Sequence, residues 1–149
     1  MAISPTDLTQ RPPRSARTRL GGYIILPRMI DKCRALVSGN IGEYHYDCPL
    51  DKRFIQFVGL DAKRFAEEVK AGKGDGELLL WIEENASIKR SPQEIAAWAE
   101  FELTRTPGDL AGRERFAKWQ ASIGANRTDV VTLYDLLDLD DFVSFGGKA

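Results

Sequence analysis

Apolar residues recur along this chain at spacings of three, four and seven, the period of an α-helix that buries one face. Ile30, Cys33 and Val37 fall at i, i+3 and i+7 behind Pro27. Proline suits a first helical turn, because the N–H it lacks would have no partner there. Ser38-Gly39-Asn40 closes that segment. Leu50, Phe54, Phe57 and Val58 mark a second helix, with Asp47 as its predicted cap and Gly59 as its stop. Asp61 caps a third, placing Ala62, Phe65, Ala66 and Val69 inward. Leu78-Leu79-Leu80-Trp81-Ile82 is apolar on every face and predicts a central buried helix. A strand is the alternative that five apolar residues leave open. Ser91-Pro92-Gln93-Glu94 has the form of a capping box, and Ile95, Trp98 and Ala99 follow on one face. Residues 109–122 make a sixth helix with Phe116, Trp119 and Ile123 inward. Thr128 caps the last, in which Val130, Leu133, Tyr134 and Leu137 face the core.

These segments predict an all-α fold, an irregular bundle of about six to seven helices with an extended N-terminal arm. Residues 1–19 lack hydrophobic periodicity and contain Arg11-Pro12-Pro13-Arg14, so they read as a flexible basic arm; residues 20–149 read as a single helical domain. Tyr23-Ile24-Ile25-Leu26 has no second strand to pair with and predicts an extended lead-in packed on the core. With 43% apolar and 29% charged residues the chain has the composition of a folded domain, not of a disordered one.

Charge is unevenly spread. Arg11, Arg14, Arg17 and Arg19 stand against Asp7 in the arm, whereas Asp129, Asp135, Asp138, Asp140 and Asp141 crowd the other end without a lysine or arginine among them. The arm is therefore expected to dock on the acidic end, within one chain or between subunits. The four arginines also leave nucleic acid open, although no aromatic residue interleaves them and the remaining chain is acidic. No apolar run reaches the ~20 residues that span a bilayer, so no membrane is expected. The first twenty residues have no apolar stretch of the secretory kind, and two cysteines fit a reducing compartment, which gives a cytoplasmic expectation.

Most of the possible chemistry lies in Gly42-Glu43-Tyr44-His45-Tyr46-Asp47-Cys48-Pro49-Leu50-Asp51, which holds the single histidine and one of the two cysteines. A metal clip would need Glu43, Asp47 or Asp51 to join His45 and Cys48, and no metal or cofactor is expected on that spacing. A Cys48 nucleophile with His45 as base is physically open, since the next helix N-terminus favours a thiolate. Pro49 removes one of the helpful N–H groups, and no orienting third residue is visible in the sequence. Gly72-Lys73-Gly74-Asp75-Gly76 lacks the ending of a phosphate loop, and Asp135-Leu136-Leu137-Asp138-Leu139-Asp140-Asp141 lacks the glycine and glutamate of a calcium loop.

The run from Leu20 to Ala35, with Leu-Pro-Arg-Met-Ile-Asp-Lys at residues 26–32, Gly-Glu-Tyr-His at 42–45 and Cys-Pro-Leu-Asp at 48–51, resembles the bacterial family known as domain of unknown function 5069. The resemblance continues through Ser91–Trp98 to Asp138. It implies a small bacterial helical protein and carries no activity, hence no catalytic role for any residue. It directs attention to Arg28, Asp31 and Lys32, three and four apart at a helix start and able to share one face. A loop folded over that face would make a polar ligand pocket of Arg28, Asp31, Lys32, His45 and Asp51. The expected function is a non-catalytic module for protein interaction or self-association; the alternative is a binding protein or enzyme using that pocket for an anionic small molecule. A concave pocket of ~300 Å³ or more lined by those side chains would favour the alternative.

Overall fold

The structure, a computed structural model, describes residues 6–149. The first five residues of the arm defined above lie outside the described residues. Seven helices follow in order: α1 (Leu26–Ser38), α2 (Pro49–Val58), α3 (Ala62–Lys70), α4 (Asp75–Asn85), α5 (Pro92–Thr104), α6 (Leu110–Gly124) and α7 (Leu133–Ser144). There is no sheet among the described residues, only one isolated bridge between Leu20 and Tyr23.

Helix α1 is the axis of the bundle, and α2 and α3 pack on it. Its Met29, Ile30 and Cys33 are fully buried with Phe54, Val58, Phe65, Leu78 and Ile82. The lead-in Tyr23–Ile25 is buried as expected, and the Tyr23 ring packs edge-on against Phe54, with centroids 5.3 Å apart. Helices α6 and α7 pair and enclose a second small core of Val130, Leu136 and Leu139, against which Phe116 and Trp119 pack.

Local signals placed several ends correctly. Asp61 accepts from the Lys63 and Arg64 N–H groups, Ser91 accepts from Glu94, and Gly39 and Gly59 end α1 and α2 in the left-handed conformation. Others need correction. Asp47 does not cap α2; Cys48 is the N-cap residue, and Asp47 sits at φ 58° with its carboxylate paired to Lys52. Thr132, not Thr128, caps α7, in a capping box with Asp135. Val37 is 44% exposed in the last turn of α1, and Leu80 is 60% exposed, so α4 buries the side carrying Leu78, Trp81 and Ile82 and is not buried all round.

The arm, read from the sequence as flexible, is strapped to the body over residues 6–19, with turns closed by the Gln10 N–H on Asp7 and the Thr18 N–H on Ser15. Leu8, Pro13 and Ala16 are buried. The Arg14 guanidinium donates to Asp31 and Asp75, Ser15 donates to Asp138, and Arg17 pairs with Asp135 and Asp138 of α7. The arm thus docks on the acidic end within one chain.

Candidate functional site

The first turns of α1 carry the charged cluster that the sequence singled out, but these side chains are buried. Arg28, Asp31 and Lys32 are 3%, 5% and 3% exposed. Each finds a different partner. Arg28 donates twice to Asp141 of α7, at 2.7 and 3.2 Å, and the Tyr44 hydroxyl donates to the same carboxylate at 2.7 Å. Asp31 turns to the arm, where it accepts from the Arg14 backbone N–H at 2.8 Å and from its guanidinium. Lys32 reaches α2, its Nζ lying 2.8 Å from Asp51 Oδ1 and 3.2 Å from Cys48 Sγ. The second Asp51 oxygen accepts the Asp47 N–H at 2.9 Å, which ties the 42–48 loop to the first turn of α2.

A cavity of about 650 Å³ opens beside this cluster. Arg28, Lys32, Tyr44, His45 and Cys48 form its polar side; Leu8, Leu50, Trp119, Leu137 and Phe145 supply apolar wall. Of the five residues proposed from the sequence, the structure brings Arg28, Lys32 and His45 to this cavity. Asp31 and Asp51 do not line it: Asp31 faces the arm, and Asp51 stands behind Lys32. His45 is exposed at the rim. A groove of about 380 Å³ beside Arg19, Lys89 and Arg90 contains neither cysteine nor histidine.

Electrostatics shape what the cavity accepts. The two cations on its wall, Arg28 and Lys32, are each met by a carboxylate, and Glu43 and Asp140 add two more negative groups to the lining. Burial and the hydrogen bond to Asp141 both raise the Tyr44 pKa, so its hydroxyl remains a donor at neutral pH. Burial likewise pushes the Cys33 thiol up to about 12, which leaves it an inert core residue. Among the described residues no group of three or more histidine, cysteine or acidic side chains is arranged to hold a metal ion.

Sequence reasoning missed the far wall. Trp119, Leu137 and Asp140 come from α6 and α7, more than seventy residues from the loop they face, and Asp141 of α7 meets Arg28 and Tyr44 beside them. The helical period marked Trp119 and Leu137 as inward, and the aspartate-rich end signalled Asp140 and Asp141, but nothing in their local spacing indicates which loop or which arginine they meet.

The family described as Domain of unknown function (DUF5069) matches residues 10–143. No curated protein matches the chain.

Proposed function

The chain belongs to the family of domain of unknown function 5069, whose description names no activity, and we propose from the cavity that the protein binds a small, largely apolar molecule there. The cavity volume carries this reading. At about 650 Å³ it falls within the ~300–1,000 Å³ typical of small-molecule sites, with mostly apolar walls and a few convergent polar groups. The charge balance argues against an anionic ligand. A carboxylate entering the site would have to displace Asp141 from Arg28 or Asp51 from Lys32 while facing Glu43 and Asp140. A neutral ligand with one hydrogen-bonding group meets no such competition. Two free thiols support a reducing compartment, the bacterial cytoplasm, and the pairing of Arg14 and Arg17 with carboxylates removes charge that nucleic acid would need.

A pair of probes tests the reading. 4-Phenylbutan-1-ol, neutral, and 4-phenylbutyrate, anionic, are titrated while the His45 ring and the Trp119 indole are followed by NMR. Both resonances should shift saturably with the alcohol, which should bind at least as tightly as the carboxylate, and Leu137→Trp should abolish the shifts by filling the cavity. No shift up to millimolar alcohol, or carboxylate binding tenfold tighter, would overturn it.

A second reading, a surface for a protein partner or a second copy, has its observation in Leu80, Phe101, Leu110, Val131 and Phe142, all more than half exposed. These residues are distributed over α4, α5, α6, the α6–α7 connection and α7, and scattered exposed apolar side chains are ordinary. Sedimentation velocity across a hundredfold concentration range should show one species; a concentration-dependent dimer would revive this reading.

A further inference from the structure

Two residues on the polar side of the cavity and one behind them form a connected trio: Cys48 beside Lys32, and Lys32 beside Asp51. Lys32 Nζ lies 2.8 Å from Asp51 Oδ1 and 3.2 Å from Cys48 Sγ. Asp51 is fully buried and Lys32 is 3% exposed, while Cys48 is half-buried and lines the cavity. Cys48 is also the N-cap residue of α2, its side chain making no capping hydrogen bond, and the first turn behind it carries N–H groups without intrahelical acceptors. The arrangement has the order of a nucleophilic triad, with a thiol in reach of a proton-carrying group that a third residue orients. It supplies the orienting partner that the loop sequence alone did not reveal. A surface lysine would wander; this one is buried and ion-paired with a buried carboxylate on the neighbouring helix.

We infer that Cys48 is a nucleophile toward acyl compounds held in the cavity, with Lys32 moving the proton and Asp51 positioning Lys32. This inference rests on the small-molecule reading above and names its substrate class, a neutral ester or thioester with an apolar acyl chain. Cys48 reacts as its thiolate, the form in which cysteine attacks. Its sulfur forms a bond to the acyl carbon, the bond from that carbon to the alcohol or thiol oxygen or sulfur breaks, and the Lys32 ammonium protonates the departing group. Water then adds to the acyl carbon and gives a proton to the Lys32 amine, and Cys48 leaves as thiolate. One water is consumed, and a carboxylic acid and an alcohol or thiol are released. In this step the oxyanion formed in each half-reaction is assigned to the N–H groups that follow Pro49 in the first α2 turn, Pro49 itself having none. A neutral substrate also accords with the carboxylates that surround the site. Those groups favour loss of the carboxylic acid once it ionises.

The test uses the full chain and p-nitrophenyl butyrate. A burst of one p-nitrophenolate per chain should appear, with the butyryl group found by mass spectrometry on the peptide bearing Cys48. Cys48→Ala should abolish the burst and Cys33→Ala should leave it intact. Lys32→Met, which keeps the side-chain length, should slow acylation at least about tenfold. Should that variant fail to fold, the wild-type acylation rate is compared with that of N-acetylcysteine at the same pH, and Cys48 should be at least about tenfold faster. An unlabelled Cys48, a burst surviving Cys48→Ala, a folded Lys32→Met protein acylated as fast as the wild type, or a rate no faster than N-acetylcysteine would overturn the inference. The Cys48→Ala protein is also titrated with 4-phenylbutan-1-ol. Retained binding without acylation of the wild type sinks the triad alone, whereas absent binding in both sinks the cavity reading as well.

Discussion

The pair Arg28–Asp141 offers the sharpest test of how the cavity is built. Asp141 accepts three hydrogen bonds, two from the guanidinium and one from Tyr44, and the two charged side chains are 4% and 10% exposed. Asp141→Ala therefore leaves a guanidinium in the interior without a counter-charge and a hydroxyl without an acceptor. Removing one partner from a buried pair costs about 3–5 kcal/mol, a large share of the ~5–15 kcal/mol that holds a domain folded. The magnitude comes from the stranded charge and not from the attraction lost. Replacing both members by apolar side chains should then recover most of it. Urea denaturation of the wild type, Asp141→Ala, Arg28→Met and the double variant Arg28→Met/Asp141→Leu gives the comparison, provided the denaturant slope stays constant. The singles should each lose about 3–5 kcal/mol, and the double should be more stable than either. A single-variant cost below ~1 kcal/mol, or a double that loses the sum of the two singles, would show that the pair is not desolvated as described.

Two further outcomes concern the strap and the acidic helix. Arg17 lies 3.0 Å from Asp138 and also pairs with Asp135, all three being partly exposed, so Arg17→Gln should cost ~0.2–1 kcal/mol at low salt, and at most half of that in 1 M salt, where the Debye length is ~3 Å. Thermal melts at both salt concentrations check this, and an unchanged or salt-independent Tm refutes the docking contribution. Burial raises the Asp135 carboxyl, but hydrogen bonds from Thr132 and Val131 and the charge of Arg17 outweigh it and hold the pKa low; Asp75 is also lowered, Arg14 and Arg34 overcoming its burial. A depressed folded-state pKa contributes stability in full above the unfolded value near ~4, and that contribution is lost as pH falls through the folded value. Urea midpoints should thus drop below about pH 4, and Asp135→Asn should flatten the decline; an identical slope in the variant would contradict it.

Where structure depends on a few neighbouring residues, the sequence was readable. Ser91, Asp61, Gly39 and Gly59 mark helix ends through hydrogen bonds and backbone conformations contained within a turn. Even here local choices compete. Asp47 and Cys48 both precede Pro49, but Asp51 captures the Asp47 N–H and leaves Cys48 as the cap residue. Thr128 and Thr132 are both plausible starts, and Asp135, three residues beyond the second, decides between them by accepting the Thr132 N–H. Leu80 illustrates a different limit. Five consecutive apolar residues cover all sides of a helix, and nothing local says which side stays uncovered. The candidate pocket divides along the same line. Arg28, Lys32, His45 and Cys48 lie within twenty-one consecutive residues of a helix, a loop and a helix start, so their convergence could be anticipated. Asp141 lies 113 residues from Arg28, and no periodicity carries that pairing.

The placement of the buried charges is itself an argument for function at this end of the bundle. Six charged residues are buried among the described residues: Arg28, Asp31, Lys32, Asp51, Glu102 and Asp141. Only Glu102, which is matched with Arg53 and Arg105, lies away from the α1 cluster. The other five are the first turns of α1 and the carboxylates paired with them. Buried ion pairs are a poor way to stabilise a fold, since apolar residues of similar volume commonly do as well or better by 1–4 kcal/mol. The adjoining face of α1, with Met29, Ile30 and Cys33, is filled in that apolar manner. A chain optimised for stability alone would have continued that face through positions 28 and 32. It instead holds a guanidinium and an ammonium beside a cavity of about 650 Å³, each fixed by a carboxylate. Fixed polar groups at a cavity wall cost desolvation but lose little further freedom when a ligand arrives, the property required of a site that positions a reacting molecule.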